Sequence, residues 1–167
     1  TIAGILNNNA EIEFLDAGEN GIEVTPTGAL NNTVAIFQRF IFDFFSIGQN
    51  FLQNQGTVNN SGTISIDFAD GEGIVNLAEG VLTNEGVIQI GKSGDPTFIR
   101  GKGISNLGQI SNTNAGRMRI FQSGAAAFSN ESGGETTNEG TISIEGSSEG
   151  EVSGTGVSNN GVFTNQI

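Results

Sequence analysis

Seven times along the chain a glycine is followed four residues later by an asparagine: Gly4/Asn8, Gly28/Asn32, Gly56/Asn60, Gly80/Asn84, Gly108/Asn112, Gly134/Asn138 and Gly161/Asn165. Successive glycines are 24, 28, 24, 28, 26 and 27 residues apart. Midway between each glycine and its asparagine stands Leu6, Leu30, Val58, Leu82, Ile110, Thr136 or Phe163. A period of about 20 to 50 residues marks a repeat architecture, in which a single unit cannot bury its apolar face and must stack on its neighbours.

After each of the first six asparagines comes a short alternating segment: Glu11-Ile-Glu-Phe14, Thr33-Val-Ala-Ile36, Thr63-Ile-Ser-Ile66, Val87-Ile-Gln-Ile90, Arg117-Met-Arg-Ile120 and Thr141-Ile-Ser-Ile144. Apolar residues at every second place are the period of a half-buried strand, and branched side chains suit its pleat. Asn-x-Gly corners, Asn60-Ser61-Gly62, Asn84-Glu85-Gly86 and Asn138-Glu139-Gly140, precede three of them. Asn and Gly tolerate the backbone angles of a sharp turn. Asn112 is followed instead by Thr113-Asn114-Ala115-Gly116, two residues longer. A third apolar station comes later: Gly21-Ile22, Gly73-Ile-Val-Asn76, Gly103-Ile-Ser-Asn106, Ala127-Phe-Ser-Asn130 and Gly156-Val-Ser-Asn159. Three stations separated by corners make one turn of a triangular coil. The sequence therefore predicts an all-β fold, a parallel β-helix of about seven coils forming one domain over 1–167. Crossovers of this kind are right-handed by general preference. Stacking brings Asn8, Asn32, Asn60, Asn84, Asn112, Asn138 and Asn165 into one column, where each amide hydrogen-bonds to those above and below.

One insertion has a different period. In Ile36-Phe-Gln-Arg-Phe-Ile-Phe-Asp-Phe-Phe-Ser-Ile-Gly-Gln-Asn-Phe-Leu52, apolar residues fall at 36, 37, 40, 41, 44, 45, 51 and 52. That spacing predicts an amphipathic helix over 37–52, holding six of the 12 phenylalanines of the chain. Its apolar stripe must be covered, either by the solenoid wall or end, or by another subunit.

The residues at Asn60 to Ile66 and Asn138 to Ile144, Asn-x-Gly-x-Ile-x-Ile, resemble the Asn/Gly-rich parallel β-helix repeats of bacterial surface proteins of the adhesin and autotransporter-passenger kind. The resemblance implies an extracellular or cell-surface location and a non-enzymatic role. The chain is short for such a protein and lacks the Gly-Gly-x-Gly-x-Asp calcium repeat of one related class.

Composition narrows the chemistry. There is no histidine, cysteine, tryptophan or tyrosine, which removes the commonest general base, thiol chemistry and most stacking platforms. A net charge of -12 repels nucleic acid and anionic membranes, and no apolar run has transmembrane length. Five of the six cations, Lys92, Arg100, Lys102, Arg117 and Arg119, lie within 92–119, either a solvated face or a basic collar that can meet the acidic remainder of a neighbouring molecule. Threonine at position 1 with no signal-peptide pattern fits a processed chain.

Asp16 and Glu19, with Asp67, Asp70 and Glu72, occupy equivalent loops and are the candidate oxygen ligands for a calcium ion. No catalytic residue and no other cofactor is expected. Asn7, Asn31, Asn59, Thr83, Ser111, Thr137 and Thr164 form a mixed column beside the asparagine ladder, one residue wide where ice binding wants a two-wide hydroxyl grid. Three glycosylation sequons, at Asn31, Asn59 and Asn130, are matches that Asn-rich turns produce freely.

The chain starts and stops at the same phase of the repeat, with neither end carrying a helical cap or a blunting proline strand. Open ends of matching shape predict head-to-tail self-assembly into a fibre or surface layer, a homopolymer. The expected contacts are Ile2, Ile5 and Leu6 at one end and Val162, Phe163 and Ile167 at the other. Phe37, Phe40 and Phe44 of the insertion are further candidates. An adhesin stalk cut from a longer array, and a ligand- or ice-binding module, are the alternatives; the surface ligand is not written in the sequence.

Overall fold

The computed structural model describes residues 1–15, 18–38, 48–92, 99–121, 123–145 and 155–166. These residues hold nineteen strands, in chain order β1 Ile5–Asn8, β2 Glu11–Phe14, β3 Ile22–Val24, β4 Ala29–Asn32, β5 Ala35–Gln38, β6 Leu52–Asn54, β7 Thr57–Asn60, β8 Thr63–Ile66, β9 Ile74–Asn76, β10 Val81–Asn84, β11 Val87–Ile90, β12 Ile104–Asn106, β13 Gln109–Asn112, β14 Arg117–Ile120, β15 Phe128–Asn130, β16 Glu135–Asn138, β17 Thr141–Ile144, β18 Val157–Asn159 and β19 Val162–Asn165. Every third strand belongs to one sheet. The first sheet runs β1-β4-β7-β10-β13-β16-β19, the second β2-β5-β8-β11-β14-β17, and the third β3-β6-β9-β12-β15-β18. All pairings are parallel and in register, so Leu6, Leu30, Val58, Leu82, Ile110, Thr136 and Phe163 form one column. This is a parallel β-solenoid.

Strand periodicity sorts the side chains. Within the second sheet Ile36, Ile64, Ile88 and Met118 point inward and are fully or almost fully buried, joined by Ile66, Ile90 and Ile120. Leu30, Val58 and Leu82 from the first sheet and Leu52, Ile74, Ile104 and Phe128 from the third close the same core. Each buried aliphatic side chain contributes about 1.5–3 kcal/mol, and no single coil could bury any of them alone. At the corners, residues outside the strands keep the ladder going. Thr57 N donates to Gly28 O at 3.0 Å, Val81 N to Gly56 O at 2.8 Å and Gln109 N to Gly80 O at 2.9 Å. Gly62 and Gly86 lie where a Cβ would overlap backbone, the Val34 carbonyl for Gly62 and the Gly62 carbonyl for Gly86. The Asn-x-Gly corner needs glycine there for close approach between coils. The longer corner after Asn112 closes on itself, Gly116 N donating to Thr113 O at 2.8 Å, and Arg117 N then returns to the Gly86 carbonyl at 2.8 Å.

Three expectations are corrected. Among the described residues six coils are complete and the seventh consists of its first strand, β19, so two sheets have five stacking steps and the first sheet has six. No helix occurs among the described residues: Phe37 and Gln38 belong to β5, Gly48 and Gln49 are bends, and Leu52 opens β6. The rest of the expected helix, 39–47, lies outside the described residues. At the two ends of that stretch the apolar residues 36, 37 and 52 are strand residues, so there the spacing belongs to β5 and β6. Finally, β5 starts at Ala35, two residues later than the sequence suggests, because Thr33-Val34 is the corner equivalent to Ser61-Gly62 and carries no glycine to announce it.

Gln38 stands in an inward column otherwise filled by Phe14, Ile66, Ile90, Ile120 and Ile144, and is fully buried. Its Oε1 accepts from the Asp67 and Phe68 backbone N–H groups at 3.1 and 2.7 Å, securing the chain as it leaves the coil above. Its Nε2 has no hydrogen-bond partner, a cost of about 1–3 kcal/mol for a buried donor.

Candidate functional site

The most regular arrangement of polar side chains is the column that ends the first-sheet strands. Asn8 Nδ2 donates to Asn32 Oδ1 at 2.7 Å, Asn32 to Asn60 at 2.7 Å, Asn60 to Asn84 at 2.8 Å, Asn84 to Asn112 at 2.8 Å, Asn112 to Asn138 at 2.7 Å and Asn138 to Asn165 at 2.7 Å. Most of these amides also donate to a backbone carbonyl of the next coil, as Asn32 does to Thr63 O at 3.0 Å. All seven expected asparagines are therefore in one ladder, and every rung points the same way. At one end Asn8 is buried, 4% exposed, and its carbonyl oxygen accepts from the Ala10 N–H at 3.4 Å; at the other end Asn165 is exposed, and among the described residues its amino group donates to no further rung.

A second ladder closes the third sheet. Asn54 donates to Asn76 at 2.8 Å, Asn76 to Asn106 at 2.8 Å, Asn106 to Asn130 at 2.8 Å and Asn130 to Asn159 at 2.9 Å, with Val24 in the first coil. The sequence carried the signal, an asparagine two residues after the third apolar station, but β6 was hidden inside the expected helix. On the outer face of the first sheet Asn31 donates to Asn7 at 2.8 Å and Asn59 to Asn31 at 2.9 Å, after which the column continues as Thr83, Ser111, Thr137 and Thr164.

The candidate ion ligands fare differently. Asp16 lies outside the described residues, and among the described residues no three carboxylates gather where a metal would sit. Asp70 Oδ1 is 3.1 Å from Arg100 Nε, and Glu72 Oε1 is 4.0 Å from Lys102 Nζ. Lys102 also grips Glu131, which accepts from Ser129 Oγ at 2.7 Å. Burial pushes the Glu72 carboxyl above its ordinary range, an effect that Lys102 and Ser105 only partly offset. The Lys102 and Ser129 hydrogen bonds hold Glu131 below its ordinary range. On the second sheet Glu145 accepts from Ser143 at 2.7 Å and from Arg119 at 3.3 Å, and these bonds, the serine first, lower its pKa. Arg119 also stacks over Phe121, with 4.9 Å to the ring centroid. So Arg100, Lys102 and Arg119 of the basic collar meet acids of adjacent coils in their own chain. Among the described residues Arg117 makes no such pair.

The end layers are apolar. Among the described residues Ile5 and Val162, in the outward column of the first sheet, are 73% and 59% exposed, and Leu6, in the inward column, is 38% exposed. Ile2 continues the third sheet by a parallel bridge to Val24, its N–H donating to Glu23 O at 2.7 Å. Phe163 is half-buried, edge-on to Phe128 at 5.9 Å. Phe37 is half-buried on the second sheet; Phe40, Phe44 and Ile167 lie outside the described residues. No helix among the described residues is long and apolar enough to cross a membrane.

Compared with known proteins, the chain matches no family model, no curated protein and no solved structure.

Proposed function

We propose that this chain is a non-enzymatic structural protein of the cell surface or extracellular space, which lengthens into a fibre or layer by head-to-tail stacking of copies. The observation that carries the proposal is the one-way asparagine ladder, whose direction ends in an acceptor at Asn8 and a donor at the exposed Asn165, with Ile5, Leu6 and Val162 exposed in the same end strands. A neighbour's β1 laid on β19 sets Asn165 under Asn8 of that neighbour, so the ladder and the first sheet both continue. Leu6 then covers Phe163, and Ile2 extends the third sheet over β18. Among the described residues the second sheet is one strand shorter, which leaves a strand's width between β17 and the neighbour's β2. Such a contact is heterologous and does not close, the geometry of a fibre. The Asn-x-Gly-x-Ile-x-Ile resemblance supports the surface location. A stalk within a longer array is the second reading, favoured by the same unsealed layers, which further coils of one chain would cover equally well.

Polarity provides the test. Leu6→Asp and Phe163→Asp place a charge in opposite end layers, with far-UV circular dichroism verifying that each variant folds. Negative-stain microscopy should show filaments for the parent and none for either variant alone. A one-to-one mixture retains one compatible pair of ends and should give rods of double length and nothing longer. Filaments formed by both variants, or no lengthening in the mixture, would overturn the proposal.

A further inference from the structure

The outward face of the second sheet carries opposite charges in one column. Glu11 heads β2 and Arg117 heads β14, and the register through Ala35, Thr63 and Val87 puts them in line, four coils apart. Both are exposed, and among the described residues neither makes an ion pair. Four steps separate them by about 19 Å. Between them the column holds only small or apolar residues, half-buried Ala35, Thr63 and Val87. The adjacent column repeats the order, with Glu13 in β2 and Arg119 in β14, although Arg119 already holds Glu145.

We infer that this face binds the same face of a second copy about a twofold axis lying along β8. That operation reverses the order of coils and keeps each position along the strand. Coil one meets coil five, so Glu11 faces Arg117 of the other copy, and Arg117 faces its Glu11. Coil two meets coil four, Ala35 against Val87, and coil three meets itself, Thr63 on Thr63 and Ser65 on Ser65. The other in-plane twofold, along the stack, would reverse the strands and set Glu11 on Glu13 and Arg117 on Arg119, like against like. Charge thus selects one of two arrangements, since like charges brought together across an interface disfavour the wrong partner. Five coils by one strand length give a footprint of roughly 300–400 Å² per copy, below the size of a standard interface, so the dimer is weak and concentration-dependent. Stacking of copies end to end is a separate contact, and this inference stands without it.

The chain has no cysteine, which makes the test direct. Ser65→Cys sits on the twofold axis and should be captured as a covalent dimer by a short bis-maleimide linker, with yield rising with protein concentration. Thr83→Cys, on the outer face of the first sheet, should not. In the Ser65→Cys background, Glu11→Arg or Arg117→Glu alone should weaken dimerisation by roughly tenfold, because both copies of the pair become repulsive. The double variant Glu11→Arg/Arg117→Glu should restore it. Equal capture at residues 65 and 83, no capture at 65, or single losses without recovery in the double variant would each overturn the inference.

Discussion

Removing one rung from the middle of the ladder should cost more than any outward change in the same strand. Asn84 is fully buried. It accepts from Asn60 at 2.8 Å, donates to Asn112 at 2.8 Å and to Gly86 O at 3.2 Å, with Arg117 O a longer 3.4 Å away. Asn84→Ala loses three good hydrogen bonds worth about 1 kcal/mol each. It also strands Asn112 Oδ1, which is fully buried, at a further cost of about 1–3 kcal/mol. Asn60 is less affected, since its amide keeps the Val87 carbonyl at 3.2 Å. The sum is a loss of about 4–6 kcal/mol, large against the stability of an ordinary domain. Thr83→Ala, one residue earlier and outward, should cost no more than about 0.5 kcal/mol. Asn165→Ala, an exposed end rung with a single bond, should cost about 1 kcal/mol or less. Urea unfolding followed by far-UV circular dichroism is the assay, because a chain without tryptophan or tyrosine gives no useful fluorescence change. A midpoint shift at constant slope reads the difference in stability. If Asn84→Ala and Thr83→Ala fall within about 1 kcal/mol of each other, the ladder is decoration and the reasoning is wrong.

Acid titration separates two carboxylates that share Lys102. Glu131 is held below the ordinary 4.5, so its stabilisation is complete above that value and is lost as pH falls through its lowered folded pKa; Glu131→Gln should flatten the acid limb of the stability profile. Glu72, raised above 4.5 by burial, acts in the opposite sense and loses its contribution as pH rises through its folded value, so Glu72→Gln should remove that loss instead. Gly86→Ala puts a methyl group into the Gly62 carbonyl one coil away and should cost at least about 2 kcal/mol by thermal denaturation, whereas an exposed Ser61→Ala should be near neutral. End-to-end assembly joins chains of net charge -12, so added sodium chloride should lengthen filaments in negative stain.

The coil was legible in the sequence because its period is written in residues that have no substitute. Asparagine is required at Asn60 or Asn112 to donate and accept along the stack, and glycine at Gly62 and Gly86 to let the chains approach. Inward stations needed only alternation, as in Thr63 to Ile66. Places where a repeat position holds an unexpected residue escaped notice. Val34 replaces the corner glycine and shifted β5 by two. Gln38 replaces an isoleucine, because the exit after β8 needs an acceptor for two backbone N–H groups. Leu52 to Asn54 was concealed beneath a run of phenylalanines. The ion pairs were out of reach for a different reason. Arg100 meets Asp70, and Lys102 meets Glu72, across 30 residues of chain whose loops vary in length, and no period in the sequence fixes which charges become neighbours.

A cryo-electron microscopy reconstruction of the assembled protein tests the central claim most directly, since it resolves the junction between copies. The account predicts strands of the first and third sheets continuing at about 4.8 Å across the joint, with the Asn165 amide under the Asn8 carbonyl of the next copy and Leu6 against Phe163. A joint in which the first or third sheet is interrupted or rotated out of line, or end layers left facing solvent in every class of particle, would contradict it.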